Sequence, residues 1–250
     1  MNNYILDNNN YTFNYSQYKK NITKKSYFSF YLIFFIIILL LGLCVFLYPK
    51  PKNFSEFYFV EIDNFQTYKQ ALNLSQTISE SGGAGYIYFD GKYHVLASFY
   101  SNLDDAESVA ENLINEYPNT QVLTIECKHF YSLKNLTEDQ NSAIKNLIDS
   151  TKKIILQLED LSIKFDTKEM NFNEANVHIK KYSDEFASIL DGLFKNFKTN
   201  SKFNTAKEYA QEIQKTLTNL SNSDEQNFST TLRYSIVDIA ITLTQFSSSL

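Results

Sequence analysis

Hydrophobic and polar positions are arranged along this chain in three different ways. From Tyr27 to Leu47 they do not alternate at all: the run Tyr-Phe-Ser-Phe-Tyr-Leu-Ile-Phe-Phe-Ile-Ile-Ile-Leu-Leu-Leu-Gly-Leu-Cys-Val-Phe-Leu carries no charge. As a helix it spans about 30 Å, the thickness of a hydrocarbon core, so the pattern predicts one transmembrane helix over 27–47. The run ends in Phe46-Leu47-Tyr48-Pro49 and not in a small-residue cleavage site, which reads as an uncleaved anchor. Lys19, Lys20, Lys24 and Lys25 precede it with only Asp7 against them, while Lys50 and Lys52 alone follow closely. That asymmetry predicts a cell-membrane protein that crosses once, with its N-terminus cytoplasmic and its C-terminal region extracytoplasmic. Residues 1–26, dominated by Asn, Tyr, Lys and Ser, read as a disordered cytoplasmic tail, and 48–56, with Pro49 and Pro51, as a linker.

The second arrangement, over 57–127, switches between periods of two and 3.6. Phe57 to Asp63 is aromatic and β-branched, and Thr67 to Ser81 sets Tyr68, Ala71, Leu72, Leu74, Ser75 and Ile78 at helical spacing. Gly82-Gly83-Ala84-Gly85 stops that helix. Tyr86 to Phe89 and Tyr93 to Phe99 are strands joined by the turn signal Asp90-Gly91. Asn102 is a cap for a second helix with Leu103, Ala106, Val109, Ala110 and Leu113 on one face, and Thr120 to Glu126 is a fourth strand after Pro118. An internal repeat at an offset of 35 residues aligns Tyr58 with Tyr93, Val60 with Val95, Ala71 with Ala106 and Ile87 with Val122. The order βαββαβ and the repeat predict a ferredoxin-like α+β fold, a four-stranded antiparallel sheet with two helices on one face.

Strand alternation then sorts side chains. With Tyr58, Val60, Ile62, Tyr93, Val95 and Ala97 towards the helices, Phe59, Glu61, Asp63, His94, Leu96 and Ser98 point the other way, together with Tyr86 and Tyr88. Rings beside hydrogen-bonding groups suit a sugar polymer; equally, such rings can meet downstream helices.

Two stretches carry a family resemblance: Tyr58-Phe59-Val60-Glu61-Ile62-Asp63-Asn64-Phe65 followed by Ala71, and Tyr93-His94-Val95-Leu96-Ala97-Ser98-Phe99-Tyr100 followed by Ala106. In them, residues 57–127 resemble a SPOR domain, the sporulation-related repeat of bacterial envelope proteins. The resemblance implies binding of peptidoglycan glycan strands stripped of their stem peptides, and a role in division or sporulation. The positions it implies for glycan contact are Phe59, Glu61, Asn64, Tyr86, Tyr88, His94 and Leu96. Four residues depart from the family pattern: Glu61 stands where Gln is usual, Asp63 and Ser98 where Gly is usual, and His94 where Arg is common.

The third arrangement, over 135–250, is helical throughout and predicts an all-α bundle of about four helices. Thr137-Glu138-Asp139-Gln140 is a capping box ahead of Ile144, Leu147, Ile148, Thr151, Ile155, Leu158, Leu161 and Phe165. Two further helices follow from Ala175 and around Ala206. A second capping box, Ser223-Asp224-Glu225-Gln226, opens the last helix, with Phe228, Leu232, Ile236, Ile239, Leu243 and Phe246 on its face. Short polar connections predict antiparallel neighbours; in the envelope reading, these C-terminal helices contact an envelope protein partner.

Charge narrows the function. The formal net charge is −5, but residues 1–52 carry six lysines and one aspartate, which leaves −10 for the remainder. Nucleic acid is therefore not expected as a partner, although Lys92 to Phe99 faintly resembles the central strand motif of an RNA-binding domain. Cys44 and Cys127 lack paired spacing, and His94, His129 and His178 are scattered, so neither a disulfide nor a metal is expected. Glu159-Asp160 has no His or further acid at catalytic spacing and reads as a solvated helix face; no phosphate loop is present. With no cofactor and no catalytic constellation, the chain reads as a non-enzymatic envelope protein docking on glycan. The alternative is a protein-interaction scaffold that has kept the SPOR fold without glycan binding.

Overall fold

The computed structural model describes residues 56–194 and 201–250, all within one compact unit, Phe54–Leu250. The elements in order are β1 (Glu56–Phe65), α1 (Tyr68–Glu80), β2 (Tyr86–Phe89), β3 (Tyr93–Tyr100), α2 (Leu103–Leu113), β4 (Gln121–Glu126), α3 (Glu138–Asp166), α4 (Phe172–Phe194), α5 (Ser201–Ser221) and α6 (Phe228–Ser249). Among the described residues no helix is long and apolar enough to cross a membrane. The span expected at 27–47, the tail at 1–26 and the linker up to Ser55 lie outside the described residues. The fold class is corrected accordingly: among the described residues it is a four-stranded antiparallel sheet with six helices, none of them long and apolar enough to cross a membrane. The single-pass cell-membrane localisation, with the membrane as partner, is corrected with it, because no helix among the described residues can serve as the anchor.

The sheet order is β2-β3-β1-β4, every neighbour antiparallel, which is the ferredoxin-like arrangement of a βαββαβ chain. The β1–β3 ladder shifts register around Glu61, between Val60↔Ser98 and Asp63↔Val95, whereas the β1–β4 ladder runs without a shift. One face of the sheet is closed by α1 and α2 around Val60, Ile62, Val95 and Ala97, with Ala71, Ile78, Ala106 and Ala110 from the helices. Small residues on those helices let them lie close to the strands. Asn102 caps α2 by accepting from the Asp104 amide.

The loop after α1 needs its glycines. Gly82 and Gly85 have φ of 90° and 56°, the left-handed region that favours glycine. A Cβ on Gly85 would run into Ser79 Oγ and the Ser75 carbonyl, while Ser75 Oγ donates to the Gly85 carbonyl. Gly85→Ala is expected to cost more than the usual helix-stop substitution, about 2–3 kcal/mol from steric strain at a special backbone position. A urea melt against wild type measures it.

The other face of the sheet is covered by the chain's own helices. Phe57, Phe59, Leu96 and Phe99 belong to the same buried core as Ile155, Leu158, Leu232 and Ile236. Phe99 meets both Phe57 and Phe59 edge to face, at centroid distances of 5.4 and 5.6 Å. α6 makes this possible because it is apolar on two sides, with Val237, Ala240 and Ile241 buried as well as Leu232, Ile236, Ile239 and Leu243. It packs on β3 and β2 with one side and on α3 and α5 with the other.

Polar contacts pin the layers together. Arg233, the chain's sole arginine, pairs its Nη2 with Asp166 Oδ2 at 2.6 Å and donates through Nη1 to the Gly82 carbonyl. Thr230 Oγ1 donates to the Ser79 carbonyl at 3.0 Å, and the Ser101 amide donates to Glu159 Oε1 at 2.8 Å. Glu159 is thus an anchor between β3 and α3, not part of a solvated face; its neighbour Asp160 forms the exposed pair with Lys164. Arg233→Ala is expected to lower stability by about 2 kcal/mol, the scale of a charge-assisted hydrogen bond to a carbonyl. The same melt, followed by both sheet and helix signals, checks it.

The helix starts divide by capping chemistry. Thr137 and Gln140 form the reciprocal capping box of α3. Ser223-Asp224-Glu225-Gln226 does not open α6, which is a correction: Asp224 Oδ1 accepts from the Asn227 amide at 2.9 Å and the helix starts at Phe228. A local side-chain bond has competed successfully with the helix for that backbone donor.

Candidate functional site

The described polar side chains that cross-link the sheet strands converge on the hairpin end of the face opposite α1 and α2. Glu61 stands on the central strand β1 with its side chain fully buried. Its Oε1 accepts from Asn64 Nδ2 and His94 Nδ1, both at 2.9 Å, and its Oε2 accepts from Gln121 Nε2 at 3.1 Å. Three strands therefore meet on one carboxylate: β1 supplies Glu61 and Asn64, β3 supplies His94, and β4 supplies Gln121, which lies opposite Glu61 in the β1–β4 register. A carboxylate without water needs such partners, because an unpaired buried charge is costly.

His94 extends the chain outward. Its Nε2 contacts Asp90 Oδ1 at 2.8 Å, so the imidazole bridges the buried Glu61 to a carboxylate that is 46% exposed at the β2–β3 turn. Tyr88 lies against the imidazole, ring centroids 5.9 Å apart. Burial alone pushes His94 down, but the hydrogen bonds to Asp90 and Glu61 and their charges outweigh it and hold the group above its ordinary value. The His94 hydrogen bond acts in the reverse sense on Asp90, holding that carboxyl below the usual range against a smaller opposing effect of burial. With a carboxylate at each nitrogen, both ring N–H groups of the imidazolium donate, and neither nitrogen is free to take a proton from a substrate.

The seven positions expected to contact glycan separate into two groups. Glu61, Asn64, Tyr88 and His94 are brought together in this cluster. Phe59 and Leu96 are not: both are 0% exposed in the core beneath the helical layer. Tyr86 is also covered, its ring 5.2 Å from that of Tyr234 on α6, and burial with the nearby Asp238 charge raises its phenol above the ordinary value. The face expected to be open for glycan is therefore closed over Phe59, Leu96 and Tyr86. Asp90 and Gln121 complete the cluster without having been picked out from the sequence. The first is signalled by its spacing of four from His94 across a tight turn, the second by its place opposite Glu61 in an unshifted ladder.

Among the described residues no group of three or more His, Cys, Asp and Glu side chains is disposed to hold a metal ion. The Glu61–His94–Asp90 chain spends both imidazole nitrogens on carboxylates, which is the opposite of a ligand set. Cys127, free and buried, lies 3.8 Å from Ser247 Oγ of α6, far from the cluster in the fold. A scan against family models, a search of curated proteins and a search of solved structures each returned no match to this chain.

Proposed function

We propose that this chain is a non-enzymatic protein-interaction scaffold, a SPOR-like βαββαβ fold that has given the outer face of its sheet to its own helices. The observation that carries this reading is the complete burial of Phe59 and Leu96 against the helical layer. A sugar strand lying on those side chains would have to displace α6, whose two apolar sides are both in use. The Glu61–His94–Asp90 cluster then serves the fold: it satisfies a buried carboxylate and ties the β2–β3 turn to the central strand.

A second reading keeps glycan docking at the hairpin end alone. Tyr88 and Asn64 remain half-buried there, and Gln121 is exposed, so a ring and amide groups still face solvent. The resemblance would place such docking in division or sporulation. Co-sedimentation of the purified chain with intact and amidase-treated cell-wall sacculi separates the two. The scaffold reading expects no retention on either. Retention that rises on the treated wall and disappears with Tyr88→Ala would overturn it in favour of docking at the hairpin end.

A further inference from the structure

The sheet has two edges, β2 and β4. The β2 edge spans four residues, and Tyr234 packs on its Tyr86. The β4 edge is longer, Gln121–Glu126, and pairs with β1 in an unbroken register from Glu56↔Glu126 to Glu61↔Gln121. An edge strand turns alternate N–H and C=O groups away from its sheet, and proteins that leave it free usually blunt it with a proline, a lysine, a bulge or a short strand. β4 has none of these over Val122-Leu123-Thr124-Ile125, which carries neither charge nor proline. Thr124 is exposed and its three apolar neighbours are only half-buried. Among the described residues no second strand pairs with it.

The helix beside this edge, α2, carries charge of one sign. Between Lys92 and Lys128 the chain contains no Lys or Arg, but it holds Asp104, Asp105, Glu107, Glu111, Glu116 and Glu126, every one exposed. α2, which bears most of them, packs on β1 and β4. Glu107 and Glu111 each follow by one position a residue buried against the sheet, Ala106 and Ala110, so they share one flank of the helix. Two copies paired through β4 would set these carboxylates against their equivalents, which opposes self-association.

We propose that the β4 edge accepts an extended basic peptide segment of a partner protein. The segment adds as a further strand through main-chain hydrogen bonds, places its apolar side chains beside Leu123 and Ile125 on one face of the sheet, and directs the alternate lysine or arginine side chains to the Val122 face, towards Glu107 and Glu111. This deepens the scaffold reading by naming a surface and a partner class, and rests on that reading for the need of a partner. Its geometry is separate, since α6 covers a face of the sheet and β4 offers an edge.

The test is a titration of the full chain with an alternating lysine–valine heptapeptide and with its glutamate–valine counterpart, read by hydrogen exchange of individual amides. The lysine peptide is expected to slow exchange in 121–126, the glutamate peptide to leave it unchanged. Joint Glu107→Lys and Glu111→Lys substitution, both on an exposed flank, is expected to weaken the lysine peptide about tenfold or more. Slowed exchange confined to sites other than β4, equal binding of both peptides, or β4 amides already protected in the free chain by a second copy would each overturn the proposal. If Leu96 proves open to solvent while β4 still takes up the lysine peptide, the scaffold reading fails and the edge site stands.

Discussion

Phe59→Ala is expected to destabilise the entire unit by about 3–5 kcal/mol, the cost of emptying a large buried aromatic site. Phe59 is closed off from solvent: it lies on a central strand of the sheet, packs edge to face on Phe99, and shares its core with α3 and α6. The loss therefore falls on sheet and helices together. Urea unfolding followed by tyrosine fluorescence and by far-ultraviolet circular dichroism is expected to show coincident transitions, both moved to lower urea by the same amount. A sheet domain joined to an independent bundle would behave otherwise, losing the β signal first and keeping a helical plateau. On an open glycan-binding face the same substitution would remove ligand contacts and leave the melt nearly unchanged.

His94→Ala is expected to cost about 3–5 kcal/mol as well, because removing one partner of a buried ion pair leaves the other charge uncompensated. Glu61 would keep Asn64 and Gln121 but lose its link to Asp90. The sign of the pH dependence follows from the raised folded value of His94. Its contribution is fully present below the ordinary histidine value of about 6.5 and is lost as pH rises through the higher folded value. Asp90, lowered in the folded state, contributes above the ordinary aspartate value of about 3.9 and ceases to do so as pH falls through its folded value. Wild-type stability is thus expected to decline above about pH 6.5 by a component that His94→Ala lacks. Melts of both proteins between pH 5 and about pH 9 measure it; parallel curves would mean that the imidazole carries no charge in the fold.

Much of the fold was legible in the residues, and the reason differs by element. The strands and helices of the βαββαβ region each carry a clean period and a stop, such as Asn102 before α2 and the glycines after α1. The capping box at Thr137 announced α3 through two reciprocal hydrogen bonds that require only local geometry. Covering of the sheet was harder to read. Its signal lay in α6, where Val237, Ala240 and Ile241 add a second apolar side to Leu232, Ile236, Ile239 and Leu243, and a helix apolar on two sides must lie between two layers. A single apolar stripe is compatible with either outcome, a sheet face open to glycan or one met by the downstream helices.

The site was half legible for a similar reason. Alternation correctly set Glu61, His94 and Tyr88 on one face, but period two does not tell which part of that face meets another element. The division falls along the strands, with Phe59 and Leu96 beneath the helical layer and Glu61 with His94 towards the hairpin. Nor does the sequence show that Glu61 and His94 share a hydrogen bond, because the β1–β3 register shifts on either side of Glu61. The resemblance implies an outside partner, a glycan strand, for this position. Its actual partners are Asn64, His94 and Gln121 within the chain.

The most direct measurement of the central claim is thiol labelling of Leu96→Cys in a chain with Cys44→Ser and Cys127→Ser. Leu96 is the most deeply covered residue of β3 on the face in question, at 0% exposure. If α6 closes that face, the cysteine reacts only as fast as the whole unit unfolds, and its labelling rate rises with urea in step with global unfolding. Rapid labelling in native buffer, at the rate of an exposed thiol, would contradict the account: the sheet face would be open, and the case for a glycan strand lying on it would return.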